Sequence, residues 1–121
     1  MTAFLKGFVY AARGVAAGSR GRNFRVMILA TVVVAGLAWW LQVSASQWAL
    51  LALSMGLVLA LELVNTAGEM LVDILSPEHD VRYGRVKDVL AGAVLVAALA
   101  AAVVGLLVLV PLCLALTGLS I

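Results

Sequence analysis

Hydrophobic residues along this chain come in long runs and not in short alternations. No charged residue occurs in the 36 positions 26–61, and none in the 33 positions 89–121. A membrane-spanning helix needs about 20 predominantly apolar residues, so the first run suffices for most of two spans and the second for one. Gln42, Ser44, Ser46 and Gln47 interrupt the first run, and Trp39, Trp40 and Trp48 flank the break. Tryptophan favours the membrane–water interface, because its ring is apolar and its N–H polar. The pattern predicts a helical hairpin with spans near 24–42 and 47–72. It predicts a third span near 88–110, which Pro111 kinks or ends. Ahead of these, Phe4, Phe8, Ala12 and Val15 recur at spacings of three or four, which predicts an amphipathic helix over about 3–20 lying on the membrane surface. Gly14, Gly18 and Gly21 predict a weak point in it after Arg13. Segment 74–87, with Pro77 and Gly84, reads as the one real loop. The expected fold is a single all-α integral membrane domain, three transmembrane helices preceded by a surface helix.

Composition agrees with this reading and narrows the function. Hydrophobic residues make up 65% of the 121, charged residues 12%, and the formal net charge is +2. A chain of this size in water could not bury so much apolar surface. A soluble globular enzyme, a disordered chain and a basic nucleic-acid binder are therefore excluded. Cys113, the one cysteine, lies in an apolar run and can form no internal disulfide. Val43-Ser44-Ala45 has the small-residue pattern of a signal cleavage site. However, 25 residues precede the apolar run, far more than a charged leader region usually has, so uncleaved spans are expected.

The placement of charge carries more information than its total. Lys6, Arg13, Arg20, Arg22 and Arg25 precede the first span, and Arg82, Arg85 and Lys87 precede the third. Both clusters fall on one side of a three-span chain. The positive-inside rule makes that side cytoplasmic, together with the amino terminus. All six acids, Glu62, Glu69, Asp73, Glu78, Asp80 and Asp88, lie between positions 62 and 88.

At 100° per residue, with Glu62 at zero, Asn65 falls at about −60°, Thr66 at +40°, Glu69 at −20° and Asp73 at +20°. Three carboxylates and an amide thus share one helical face. Counted from Trp48, Glu62 stands about 21 Å along the helix, within the inner half of the bilayer or at its edge. A carboxylate there costs roughly 2.5–3.5 kcal/mol, which a cation, a proton or a basic partner must offset. Asp73 also suits a solvated helix end. Lys87-Asp88 returns to the same membrane surface, where the lysine serves either as a structural ion pair or as a phosphate ligand. Acids able to hold Mg²⁺, a lysine and a basic surface helix together fit phosphoryl transfer, which is catalysed mainly by positioning and charge neutralisation. No Walker-type glycine loop is present, and His79, the single histidine, has no partner for a zinc site. Small residues in the third span, from Ala91 to Gly105, permit close helix contact in lipid. Three spans can hardly enclose a polar site, so subunits are expected to share one.

The run Glu62-Leu63-Val64-Asn65-Thr66-Ala67, followed by Glu69 and Asp73, resembles the signature of the small bacterial diacylglycerol kinase and undecaprenol kinase family. Tyr10-Ala11-Ala12-Arg13-Gly14 resembles the family's amino-terminal helix, Asn23-Phe24-Arg25 the start of its first span, and Lys87-Asp88 with Ala91-Gly92-Ala93 the start of its third. The resemblance covers roughly positions 4–108. It implies an inner-membrane lipid kinase that uses ATP and Mg²⁺ and forms homotrimers with active sites between subunits. It also implies site roles: Glu62 as the base facing the lipid hydroxyl, Asn65 and Arg13 on the lipid substrate, Tyr10, Lys87 and Asp88 on the nucleotide, and Glu69 on the metal, with Asp73 as a second metal ligand.

The chain departs from the family pattern at two positions. The family usually has a glutamate three residues before the phenylalanine of its Asn-Phe-Arg-like segment, an acid that helps bind its metal; this chain has Gly21 there, and the segment between Gly14 and Phe24 is one residue short. Gly68 stands where the motif has a bulky apolar residue. The Asn65-Thr66-Ala67 wording and the short amino terminus lean towards a polyprenol such as undecaprenol over diacylglycerol. A rival reading is a non-catalytic membrane protein: an ion-coupled transporter, a pore former or a lipid-binding remnant of the family.

Overall fold

Most helices in this chain begin where a side chain can satisfy the free N–H groups of a first turn. The computed structural model describes residues 2–119 and contains four: α1 (Ala3–Gly18), α2 (Arg22–Trp40), α3 (Ala45–Leu75) and α4 (Val81–Leu116). Thr2 Oγ1 accepts from the Leu5 N–H at the start of α1. Ser44 opens α3 with a capping box, its Oγ accepting from Gln47 N–H at 3.2 Å while Gln47 Oε1 accepts from Ser44 N–H at 2.9 Å. Gln42, at φ 54°, turns the chain between α2 and α3. The Val43-Ser44-Ala45 segment is thus the corner of the hairpin, with Val43 buried.

Three helices are long and apolar enough to cross a membrane. Their 19, 31 and 36 residues correspond to about 28, 46 and 54 Å. The hydrocarbon layer is only about 30 Å thick, so α3 and α4 carry several turns beyond it. Leu29, Val32, Leu53, Val96, Leu99 and Leu107 are more than half exposed, a surface suited to lipid. On α1, Phe4 and Phe8 are exposed and meet edge to face at 5.2 Å between ring centres. The only buried residue of α1 is Gly18.

Beyond shifts of two residues at helix ends, four features differ from the sequence expectation. First, α1 continues past Arg13 to Gly18, and a methyl group built on Gly18 would overlap the Leu63 side chain on α3. That glycine serves close helix contact, which offsets its low helix propensity. Second, α3 runs three residues past 72. Third, α4 begins at Val81 and not near 88, so the expected 74–87 loop shrinks to residues 76–80. Asp80 caps this start: its Oδ1 accepts from Arg82 N–H at 2.8 Å, and the Arg82 guanidinium returns to Oδ2 at 2.9 Å. Arg82 holds the Asp80 carboxyl below the usual range, so the stability it lends is present at neutral pH and lost only as pH falls through that lowered value. Fourth, α4 passes through Pro111 to Leu116. Proline removes one helical hydrogen bond, but the residues beyond it are apolar, and unwinding there would expose every remaining backbone group to lipid.

The packed core lies at the hairpin end. Ala38, Val43, Leu51, Val108 and Leu109 are buried together, with Val34, Leu37, Trp48, Met55 and Leu112 against them. From this core an apolar groove of about 590 Å³ runs between α2 and α4 over α3, walled by Thr31, Val34, Met55, Val58, Ala98 and Leu106 among others. The charged residues occupy the opposite end of the bundle.

Candidate functional site

The acidic face predicted on α3 forms within one unbroken helix. Glu62 is 4% exposed and Asn65 5%, whereas Glu69 and Asp73 reach the surface. Glu62 and Glu69 stand two turns apart, about 10.5 Å along the axis, too far to share one small ion without a large bend. Asn65 lies between them and donates through Nδ2 to Glu69 Oε1 at 3.4 Å. Its Oδ1 is buried with no hydrogen-bond partner. An unpaired buried carbonyl costs about 1–3 kcal/mol, so this atom is poised to accept from a group outside the chain.

On the facing helix, Lys87 Nζ contacts Asp73 Oδ1 at 2.5 Å. Of the two roles open to this lysine, the chain alone shows the ion pair. Both partners are substantially exposed, and such pairs contribute only about 0–1 kcal/mol, so a phosphate or a metal can compete for either. A cleft of about 360 Å³ surrounds the pair, lined by Val72, Ser76, Pro77, His79, Tyr83 and Gly84 besides Asp73 and Lys87. His79, Ser76 and Tyr83 enter the site only through this structure. The one available signal was Asp80, which as a helix cap swings the next turn of α4 back over α3.

Asp88 is exposed beside Lys87 and outside the lining of the cleft. Tyr10 and Arg13 remain on α1, with the Arg13 guanidinium 6.0 Å from the Tyr10 ring centre. Among the described residues neither makes an ion pair or side-chain hydrogen bond to α3 or α4. No three His, Cys, Asp or Glu side chains among the described residues gather closely enough to enclose a metal ion. The donor set nonetheless suits Mg²⁺, which is usually held by one or two carboxylates with water and substrate phosphates completing its shell. Glu69 offers an exposed carboxylate braced on one oxygen by Asn65.

A buried carboxylate on an apolar helix, an exposed one two turns on, and a cleft lined by Asp73 and Lys87 suit an integral membrane enzyme that acts on a lipid. Residues 9–109 match the family described as prokaryotic diacylglycerol kinase, and the chain belongs to that family of membrane lipid kinases. The undecaprenol kinase of Bacillus subtilis (strain 168) is 36% identical over 109 residues, covering 89% of each chain. The diacylglycerol kinase of Synechocystis sp. is 42% identical over 109 residues, 88% of this chain and 62% of its own length. The diacylglycerol kinase of Escherichia coli (strain K12) is 34% identical over 103 residues, 84% of each.

Proposed function

We propose that this protein transfers the γ-phosphoryl group of ATP, with Mg²⁺, to a membrane lipid alcohol, and that a polyprenol of the undecaprenol class is preferred to diacylglycerol. One observation carries the reading. Leu51, Met55 and Val58, which floor the apolar groove, fall within about 40° of Glu62 around α3. The groove and the acidic face are therefore one continuous stripe, about 16 Å from Leu51 to Glu62. A hydroxyl placed at Glu62 leaves its chain in the groove. A single groove suits one long chain better than the two of a diacylglycerol, and the undecaprenol kinase similar over nearly its whole length supports the same choice.

In this mechanism the lipid hydroxyl docks beside Asn65, which orients it, with its one O–H directed at the Glu62 carboxylate. Its proton passes to Glu62, one helical turn away, as its oxygen attacks the γ-phosphorus. The bond from that phosphorus to the β–γ bridging oxygen breaks, and ADP leaves. Glu69 and Asp73 would hold Mg²⁺, which would neutralise phosphate charge. Lys87 and Asp88 hold the nucleotide. Tyr10 and Arg13 make no ion pair or side-chain hydrogen bond to α3 or α4 within the chain, and a homotrimer with sites shared between subunits would bring them to the site from α1 of a neighbour. The two basic clusters at the charged end support a bacterial inner-membrane location with that end and the amino terminus in the cytoplasm.

The test is phosphoryl transfer from labelled ATP to undecaprenol and to diacylglycerol by purified, folded protein in lipid with Mg²⁺. The expected result is higher kcat/KM on the polyprenol. Transfer to neither lipid overturns the kinase reading, and a preference for diacylglycerol overturns the finer one.

Gly21 supplies a second test. It caps α2 with extended backbone at φ −68° and ψ 144°, and a methyl group built on it meets only Gly18 O at 3.7 Å. A glutamate is therefore accommodated. With no acid before Glu62, metal binding rests on α3, so Gly21→Glu is expected to lower the Mg²⁺ concentration for half-maximal rate severalfold. An unchanged Mg²⁺ dependence places position 21 away from the metal.

A further inference from the structure

Helix pairs pack at about 8–10 Å between axes, a distance set by the side chains at the contact. Where α3 and α4 approach at the site, one side of that contact has no side chain. A methyl group built on Gly68 would overlap Leu90 Cδ1 and lie 3.3 Å from both Leu90 Cδ2 and Cγ. Leu90 thus seats its branched end, and part of its stem, against the backbone of α3. Gly68 adjoins Glu69 in sequence. Leu90 lies three residues, or one turn, beyond Lys87, on the α4 stripe that continues through the buried Val94 and Ala97. On α3 the matching stripe is Asn65, Gly68 and Val72, of which Asn65 and Val72 are buried.

The lysine on α4 and the carboxylate on α3 are therefore spaced by one contact immediately beside them. We propose that Leu90 and Gly68 form a knob-and-hole pair that positions the two halves of the nucleotide site, Glu69 on α3 and Lys87 on α4. This rests on reading those residues as metal and nucleotide ligands. Neither Leu90 nor Gly68 touches the reacting groups. Their effect is on spacing: bulk added at 68 forces α4 outward, and bulk removed at 90 lets it settle or leaves a void.

The test compares Gly68→Ala, Gly68→Leu, Leu90→Gly and the double variant Gly68→Leu/Leu90→Gly, which transfers the knob to the other helix. KM for Mg-ATP, KM for lipid, kcat and the rise in melting temperature on adding ATP and Mg²⁺ are measured for each. Gly68→Leu is expected to raise KM for Mg-ATP at least about tenfold and to suppress the nucleotide-induced rise, with KM for lipid nearly unchanged; Gly68→Ala should move the same way by less. The double variant is expected to recover most of the loss, a non-additivity that neighbouring residues show and independent ones do not. A general loss of fold would instead lower kcat with both KM values unmoved, and that pattern overturns the proposal. So does a double variant no better than the worse single one, or a Gly68→Leu chain that binds nucleotide normally. Should the wild-type chain phosphorylate no lipid, the functional reading fails by itself, while the melting-temperature cycle still decides whether the pair sets nucleotide binding. A wild-type chain that gains no stability from ATP and Mg²⁺ overturns both.

Discussion

Replacing Glu62 by glutamine is expected to reduce turnover by about 10²–10⁴-fold, the range that loss of a positioned general base produces. The substitution keeps the volume of a side chain only 4% exposed, so packing on α3 survives. It also removes a carboxylate from a site where burying charge is costly, so the variant should melt no lower than the parent. Nucleotide binding should persist, because the base acts on the acceptor hydroxyl and Glu62 stands two helical turns from Glu69. Intact folding, an intact melting response to ATP and Mg²⁺, and lost transfer together form the expected signature. Near-normal turnover would remove Glu62 from the role of base.

Glu69→Gln is expected to fail at the preceding step. Glutamine still offers an oxygen to Asn65 Nδ2, so the brace observed at 3.4 Å can persist. What is lost is the anionic charge at the one exposed carboxylate suited to Mg²⁺ beside the buried pair. Because no acid stands at position 21 or anywhere before Glu62, Asp73, paired with Lys87, is the one nearby carboxylate left to substitute. The rise in melting temperature with ATP and Mg²⁺ should largely disappear, and KM for Mg-ATP should increase more than about tenfold, in line with a lost charge-assisted contact. If saturation by Mg-ATP is unchanged, the metal is held elsewhere, and Asp73, freed from Lys87, becomes the leading ligand.

These two residues were legible in the sequence for a simple reason. In a chain with 36 uncharged positions before it, a carboxylate such as Glu62 is conspicuous, and helical periodicity alone places Asn65, Glu69 and Asp73 on its face. Residues 81–87 were harder to read. Charged residues from 78 to 88 look like a loop when judged by hydropathy, yet Asp80 caps a helix whose polar first turns project beyond the apolar layer. His79, Ser76 and Tyr83 acquire meaning only when that cap folds α4 back on α3. Pro111 does not end α4, because its local cost is outweighed by the surrounding lipid, which penalises any unwound backbone.

The sequence by itself determined the class of fold, the number of spans and the acidic face, because each follows from local periodicity and from the cost of placing charge in hydrocarbon. Tertiary structure alone decided three matters. It matched Lys87 with Asp73, left Asn65 Oδ1 without a partner, and formed the apolar groove in which residues of α2 and α4 face Leu51, Met55 and Val58 of α3. It also changed the meaning of Gly68. As one letter the glycine reads as a missing side chain, but in the folded chain Leu90 of α4 occupies that space. The reason is physical: helical periodicity fixes which way a residue faces, whereas the volume it meets there belongs to a different helix, 22 positions away in the chain.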